Sequence, residues 1–121
     1  VLVVDADAHL LDLADDLLTL DDIRVVKAGN ARAALEALTL RPPDLLVLDV
    51  GMIDHDEGIA LIERVQHLFP GTRFPIIGLS GDPAADADRL ARLGVDRFIT
   101  KPFSLSLLRS AARELLDAYR T

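Results

Sequence analysis

The sequence contains no cysteine, and this absence excludes disulfides, thiol redox chemistry and cysteine-ligated metal sites. No apolar run approaches the roughly 18 residues that a membrane-spanning helix needs, and no charged-then-apolar signal segment opens the chain. Lysine is scarce: Lys27 and Lys101 are the only two, in a chain of net charge −7. We therefore expect a cytoplasmic protein whose contacts through this segment involve neither a membrane nor nucleic acid.

Several catalytic signatures are missing as well. The sequence shows no Ser/His/Asp arrangement, no glycine-rich phosphate loop and no dinucleotide fingerprint. Its histidines, His9, His55 and His67, do not have the spacing of metal ligands. At 121 residues the chain has the length of one domain with a sizeable core. Because it begins inside an apolar run and ends in a helical one, we expect it to be part of a longer polypeptide.

Strand-like runs with β-branched residues alternate with helical periodicity along the whole chain. This alternation predicts a parallel sheet covered on both faces, in a single doubly wound α/β domain of the flavodoxin-like (βα)5 type. The predicted strands are 1–4, 23–27, 44–48, 74–79 and 96–99, and the predicted helices are 9–18, 31–40, 58–68, 83–93 and 105–119.

Four of these helices follow a residue suited to the N-cap position, because its side-chain oxygen can accept from free backbone N–H groups. These candidate caps are Asp7, Asn30, Asp82 and Ser104, and Gly94 suits the end of the fourth helix. The leucines of the first helix are expected to form its buried face, namely Leu10, Leu13, Leu17 and Leu18.

Four polar residues stand where apolar strands are predicted to end: Asp5, Asp49, Ser80 and Lys101. The carboxyl ends of parallel strands share one edge of a sheet, and ligands of open α/β sheets bind at that edge. Carboxylate oxygens suit Mg²⁺, and a lysine offsets the charge of a phosphoryl group. Gly51 follows closely and has the small size that would let a backbone carbonyl approach a cation. We therefore predict a site for Mg²⁺ and a phosphoryl group.

Simpler structural interpretations stay open for these residues. The two strand-end acids would also suit solvated positions, Ser80 a Ser-Gly turn and Lys101 a solvated surface. Asp7 fits a helix cap as well as a ligand. Phe98 fits core packing as well as a rotating aromatic switch. The convergence of several such groups at one edge favours a functional site over these alternatives.

Four stretches, taken in order, resemble the receiver domain of two-component response regulators, and the resemblance covers essentially the whole chain. They are VLVVD at 1–5, PDLLVLD at 43–49, IIGLSG at 76–81 and GVDRFITKPF at 94–103. The resemblance implies a (βα)5 fold in which an aspartate at the end of the third strand takes a phosphoryl group with Mg²⁺. The donor is a histidine kinase or a histidine phosphotransfer protein.

The resemblance also implies roles for single residues. Asp49 would be the phosphoacceptor and Asp5 part of the acidic pocket that holds Mg²⁺. Gly51 would offer its backbone carbonyl to the metal, Ser80 would bind phosphoryl oxygens, and Lys101 would pair with phosphorylated Asp49.

Switching and turnover are implied in the same way. Ser80 and Phe98 would switch the surface of the fourth helix, fifth strand and fifth helix, while Gly51 and Asp82 would tune dephosphorylation. The resemblance implies an output domain in cis or a downstream protein, and it is compatible with a homodimer through the last helices. The domain would assist its own phosphorylation and dephosphorylation without being an enzyme in the usual sense.

The acidic pocket departs from the family pattern. The family usually has two adjacent acids after the first strand, and Ala6 stands in place of the second. Asp7 is displaced by one residue and is only a possible metal ligand. The loop 52–58 is also altered, with Ile53 replacing a usual proline. We therefore expect weakened Mg²⁺ binding.

Two alternatives follow from these departures and from the first strand. The first is an atypical receiver that is not phosphorylated and acts as a protein-interaction module. The second starts from Asp5-Ala6-Asp7, which matches the Asp-x-Asp pattern of haloacid-dehalogenase-like phosphatases. Asp5 would then be the nucleophile, although the chain lacks a later paired-acid motif and Asp49 would stay unexplained.

Overall fold

The computed structural model describes residues 1–50, 55–69, 74–81, 88 and 90–119. Within these residues, five strands form one parallel sheet in the order β2-β1-β3-β4-β5. The strands are β1 (Leu2–Val4), β2 (Val26–Ala28), β3 (Leu46–Asp49), β4 (Ile76–Ser80) and β5 (Arg97–Thr100). The helices are α1 (Ala8–Thr19), α2 (Ala31–Leu40), α3 (His55–Leu68), α4 (described at 90–92) and α5 (Leu105–Tyr119).

The central strands are buried on both faces, because alternate side chains of a strand point to opposite sides of the sheet. Leu46 and Leu48 pack into a cluster that includes residues of α2 and α3. Val47, between them, packs into a second cluster with residues of α1 and α5. Each fully buried aliphatic side chain of this kind contributes roughly 1.5–3 kcal/mol of transfer free energy. The predicted doubly wound α/β fold is confirmed.

Helix boundaries agree closely with the sequence where capping signals are strong. Asp7 Oδ1 accepts from the backbone N–H groups of His9 and Leu10, at 3.0 and 3.4 Å. Asn30 accepts from Ala33 N at 2.8 Å, which starts α2 at its predicted residue. Ser104 Oγ accepts from the N–H of the residue three positions on, as predicted for α5. These contacts satisfy N–H groups that have no partner inside the helix.

The fourth helix is described only in part. Residues 88 and 90–92 are helical, and most of the predicted segment 83–93, together with its predicted cap Asp82, lies outside the described residues. Gly94 has φ of +87° and its N–H donates to Ala91 O at 3.1 Å. A positive φ suits glycine, so Gly94 ends this helix as predicted.

The second strand begins later than predicted. The sequence indicated 23–27, but the ladder contains Val26–Ala28. Asp22 has φ of +60°, and Ile23 N donates to Leu18 O at 3.2 Å. Ile23 thus closes the end of α1 and does not pair with β1, although its apolar side chain still packs against the second cluster.

Two further details of the helices differ from expectation. The third helix starts at His55, three residues before the predicted start at Gly58, because a glycine in the first turn weakens a helix without ending it. In α1 the buried residues are Leu11, Ala14 and Leu18, so only Leu18 of the predicted face is fully buried. Within the described residues, no helix combines the length and the apolar character needed to cross a membrane.

A side-chain pair fixes α5 to the end of α1. Arg109 Nε and Nη2 donate to the two carboxylate oxygens of Asp21, at 2.7 and 2.6 Å. The hydrogen bond from Arg109 is the main cause that holds the pKa of Asp21 below its ordinary value. Bidentate pairs of this geometry are directional as well as charged.

We expect this pair to make stability depend on pH in the acid range. Since the pKa of Asp21 is lowered in the folded state, its contribution is present above the ordinary aspartate pKa of about 3.9 and is lost as pH falls through the lowered value. Thermal unfolding between neutral and acid pH should show Asp21→Asn less stable than the parent at pH 7, with the gap closing below about pH 4. Asp22→Asn is the matched control. Parallel Tm curves for the parent and Asp21→Asn would contradict the expectation.

Candidate functional site

Four polar side chains meet at the carboxyl edge of the sheet. Asp5 follows β1, Asp49 ends β3, Ser80 ends β4 and Lys101 follows β5. Asp5, Asp49 and Ser80 are buried, although each is polar. A buried carboxylate needs partners, so the chemistry of this edge depends on what neutralises the two acids.

Lys101 is the cation that neutralises both acids. Its Nζ lies 2.9 Å from Asp5 Oδ2 and 2.9 Å from Asp49 Oδ2. The side chain of Asp5 is 2% exposed and that of Asp49 is 12% exposed, while Lys101 is 29% exposed. Asp49 is therefore the acid that a reagent from solution reaches more easily.

Two opposing effects set the pKa of Lys101. Partial burial lowers it, because the charged form loses hydration. Hydrogen bonds and attraction from Asp49 and Asp5 together outweigh burial and raise the pKa above the ordinary lysine value. Lys101 is therefore an ammonium at neutral pH.

The backbone beside Lys101 fixes its position relative to Ser80. Lys101 N donates to Ser80 O at 2.8 Å, which continues the pairing of Ser80 with Thr100 in the β4–β5 ladder. The peptide bond between Lys101 and Pro102 is cis. Ser80 and Lys101 thus lie on adjacent chain segments at the same height of the sheet.

The loop after β1 uses both of its acids for local structure. Asp7 N donates to Asp5 Oδ1 at 2.9 Å, so each oxygen of Asp5 accepts a hydrogen bond. Asp7 itself is exposed, and its carboxylate caps α1. The side chain of Ala6, between them, carries no oxygen.

Phe98 lies on β5, two residues before Thr100, and pairs with Gly78 in the register. It is half-buried and packs against the first hydrophobic cluster. A Cβ added at Gly78 would lie 3.6 Å from Phe98 Cδ1 and 3.4 Å from Val95 Cγ1. Glycine at 78 therefore leaves the Phe98 ring more room than any other residue would.

The donors at this edge can be compared with the needs of Mg²⁺. Within the described residues, no three His, Asp or Glu side chains are grouped to hold a metal ion. Asp5 and Asp49 supply carboxylates, and Gly51, the predicted carbonyl ligand, lies outside the described residues together with Asp82. Mg²⁺ commonly binds through one or two carboxylates, water and substrate phosphate oxygens. The described donors fit Mg²⁺ in that form, in combination with a phosphoryl group.

Asp5, Asp49, Ser80 and Lys101 lie at the one edge predicted for them, but one contact was missed. The sequence predicted a pairing of Lys101 with phosphorylated Asp49 alone, whereas the structure shows Lys101 bonded to Asp5 as well. The sequence did contain a signal for this contact, because two acids and one lysine were predicted at the same edge of the sheet. A single cation between two buried acids is expected to contact both.

Comparisons with known proteins find similar sequences that cover nearly the whole chain. A family model described as the response regulator receiver domain matches residues 1–113. The chain is 32% identical over 118 residues to the probable transcriptional regulatory protein TcrX of Mycobacterium tuberculosis, covering 96% of this chain and 49% of that protein. It is 34% identical over 115 residues to the transcriptional regulatory protein KdpE of Staphylococcus aureus, covering 93% and 48%. The chain spans about half the length of these curated relatives.

Solved structures of receiver domains have the same fold as this chain. The receiver domain of NtrX from Brucella abortus superposes with a TM-score of 0.82 at 30% identity, covering 96% of this chain and 97% of that one. A CheY-like response regulator receiver domain protein from Methanospirillum hungatei gives a TM-score of 0.86 at 27% identity, covering 97% and 92%.

The bridging role of Lys101 predicts a specific stability effect. Lys101→Met should lower the free energy of unfolding at pH 7 by about 1–3 kcal/mol, because two buried carboxylates lose their cation. Since the folded-state pKa is raised, this contribution is fully present below the ordinary lysine pKa and is lost as pH rises through the raised value. Urea unfolding of both proteins measures the loss.

A double variant separates the charge effect from lost packing. Adding Asp49→Asn to Lys101→Met should recover part of the loss, with a coupling of about 0.5–3 kcal/mol. Lys27→Met is the matched control, because Lys27 pairs with Asp12 and Asp15 at the surface. Strictly additive losses from Lys101→Met and Asp49→Asn would count against the bridge.

Proposed function

The chain belongs to the response regulator receiver domain family, and from that premise we propose that Asp49 accepts a phosphoryl group in a two-component pathway. The observation that carries the proposal is the contact between Asp49 and Lys101. Asp49 ends a central strand, remains partly open to solvent, and has an ammonium 2.9 Å from one of its oxygens. Because the chain belongs to this family, we give up the alternative of a haloacid-dehalogenase-like phosphatase in which Asp5 is the nucleophile.

Transfer of the phosphoryl group forms an O–P bond and breaks a P–N bond. A carboxylate oxygen of Asp49 attacks the phosphorus of a phosphohistidine on a histidine kinase or phosphotransfer protein, and the P–N bond breaks with its electron pair on the imidazole. The ammonium of Lys101 offsets charge on the phosphoryl oxygens. Later attack by water returns the Asp49 carboxylate and releases inorganic phosphate.

Other residues would orient this chemistry. The Ser80 hydroxyl, at the end of the adjacent strand, binds a phosphoryl oxygen. Asp5 and Asp49 would hold Mg²⁺ with the carbonyl of Gly51, and Asp7 would stay at the helix cap. When bound, Mg²⁺ supplies positive charge to the phosphoryl oxygens. Asp82 and Gly51 tune dephosphorylation, and this part of the proposal rests on the family resemblance.

The response to phosphorylation would pass through β5. Movement of Ser80 toward the phosphoryl group draws in the end of β4, and Phe98 changes its packing beside Gly78. The surface formed by α4, β5 and α5 then shifts between two states. The phosphoryl group can shift the equilibrium between these two states only by the difference between its interaction free energies with them.

Partners follow from the family and from the relatives that the chain matches. Receiver domains of response regulators work with histidine kinases and output domains. The relatives are named as transcriptional regulators, and the chain spans about half of their length. We propose that the protein is a cytoplasmic regulator whose output domain, in cis or downstream, controls transcription. This segment would contact neither nucleic acid nor a membrane, and it would dimerise through its last helices. The domain assists its own phosphoryl transfer and is otherwise not an enzyme.

One observation favours a second candidate function. The pocket supplies two carboxylates, Ala6 adds none, and no third acid joins them within the described residues. A receiver with this pocket would also suit constitutive protein interaction without phosphorylation. This alternative gives a folded protein that does not react with phosphodonors.

Phosphorylation of Asp49 can be tested with the mass of the intact protein. After incubation with phosphoramidate and Mg²⁺, the parent should gain the mass of one phosphoryl group. Asp49→Asn should gain none, because the accepting carboxylate is gone. Asp44→Asn is the matched control, since Asp44 is an exposed acid just before the same strand. An equal adduct on Asp49→Asn, or none on the folded parent, would contradict the proposal.

A further inference from the structure

A cavity of about 580 Å³, the amino-edge cavity, opens at the amino ends of β1 and β2, on the edge of the sheet opposite Asp49. Its apolar walls include Leu2 of β1, Ile23 of the α1–β2 loop, Ala37 of α2 and Leu116 of α5. Small-molecule sites in proteins usually have volumes of about 300–1,000 Å³. The amino-edge cavity therefore has the size and the walls of a site for a small ligand with an apolar body.

The rim of the amino-edge cavity exposes large apolar side chains to solvent. Leu40 is 87% exposed and Val26 is 48% exposed, and both line the cavity. Pro42 and Pro43 continue the apolar wall directly after α2. Removal of apolar surface from water is favourable, so a ligand that covers these side chains gains binding free energy from them.

Two guanidinium groups lie at the same cavity without an ion-pair partner. Arg24 and Arg41 line the cavity and are exposed, and within the described residues neither side chain pairs with a carboxylate. Arg109, by contrast, is held by Asp21. A guanidinium presents its N–H donors in a planar fork that matches the two oxygens of a carboxylate. The cavity thus combines apolar walls with two groups suited to an anionic head group.

Two carboxylates share the rim of the cavity with the arginines. Asp22 and Asp44 also line it and are exposed. An aspartate has a short side chain and keeps its hydration in such a position. An arginine is longer, its stem packs along apolar surface, and its guanidinium is weakly hydrated for a cation, so it loses less when a ligand covers it. We therefore expect the cavity to select an anionic head group.

The walls of the cavity are held in place by contacts within the protein. Val26 N donates to Val1 O at 2.9 Å, and Arg41 N donates to a carbonyl of the last turn of α2 at 3.2 Å. The bidentate pair of Arg109 with Asp21 fixes the α1–β2 loop to α5. Because the walls are already ordered, a ligand can bind without the entropy cost of ordering them.

We propose that the amino-edge cavity binds a small amphipathic carboxylate. The apolar body of the ligand lies against the walls formed by α2, the α1–β2 loop and the start of β1, and Arg24 and Arg41 hold its carboxylate. This inference goes beyond the proposed function of Asp49 and does not rest on it, because the cavity and Asp49 lie at opposite edges of the sheet. A domain with both sites would take a phosphoryl group at one edge and a small organic acid at the other.

The test titrates the protein with octanoate and follows the NMR signals of its backbone amides. We expect saturable shifts at Ile23, Val26 and Arg41, and weaker binding of octyltrimethylammonium, which has the same chain length and a cationic head group. Asp49→Asn should bind octanoate as the parent does, so this site and phosphorylation can fail independently. The inference would be overturned by the absence of saturable binding, by shifts confined to residues outside the lining, or by equal binding of the cation.

Variants separate the contribution of the head group from that of the apolar body. Arg24→Gln and Arg41→Gln should each weaken octanoate binding by about three- to tenfold, because a charge-assisted contact at an exposed rim is lost. Ala37→Leu should weaken it as well, because the larger side chain occupies part of the cavity. Arg32→Gln is the matched control, since the Arg32 side chain is 92% exposed on α2 and does not line the cavity. Octanoate affinities of both arginine variants equal to that of the parent would contradict the proposed site.

The amino group of Val1 is another cation at this cavity and needs its own control. Val1 lines the cavity, and its ammonium donates to Arg24 O at 2.9 Å. Acetylation of the amino group removes this charge. The acetylated protein should still bind octanoate and should still lose affinity on Arg24→Gln. Binding that is lost on acetylation and does not change in the arginine variants would overturn the assignment of the head group to the arginines.

Discussion

The contact of one lysine with two buried aspartates is the interaction on which the site depends. Asp5 and Asp49 come from adjacent strands and would repel each other in a pocket that is mostly closed to water. Lys101, which lies on the other side of β4, supplies the positive charge that offsets this repulsion. The same ammonium, 2.9 Å from an oxygen of Asp49, lies beside any group that becomes attached to that carboxylate. One contact therefore stabilises the resting fold and prepares the site for an anionic ligand.

The architecture explains why these residues meet although they are far apart in the sequence. Parallel strands joined by helices end at a common edge, so residues 5, 49, 80 and 101 come to the same edge of the sheet. The hydrophobic clusters on both faces hold the strands in one register, and a shift of one residue would turn every buried side chain to the wrong face. The position of the charged groups is thus a consequence of apolar packing.

Much of this could be predicted from the sequence, and the failures have physical causes. The bounds of α2 and α5 were predictable because each has a cap residue and a clear helical period. The start of β2 was not, since Ile23 is as apolar as a strand residue but closes the turn after α1. The charge count placed two acids and one lysine at one edge, but whether Lys101 reaches Asp5 depends on the exact height of two strand ends, which sequence patterns give only to within a few residues.

The contact of Lys101 with both aspartates is tested most directly by observing Lys101 itself. The chain has two lysines, so NMR of protein carrying ¹³C at the lysine ε-carbon gives two signals, and Lys27→Arg assigns them. We expect the pKa of Lys101 to lie above the ordinary lysine value in the resting protein. We also expect beryllofluoride, a mimic of the phosphoryl group, to shift the Lys101 signal in the presence of Mg²⁺ and to leave that of Lys27 in place. A Lys101 signal that titrates like that of a solvated lysine and does not respond to beryllofluoride would contradict the bridging role of Lys101.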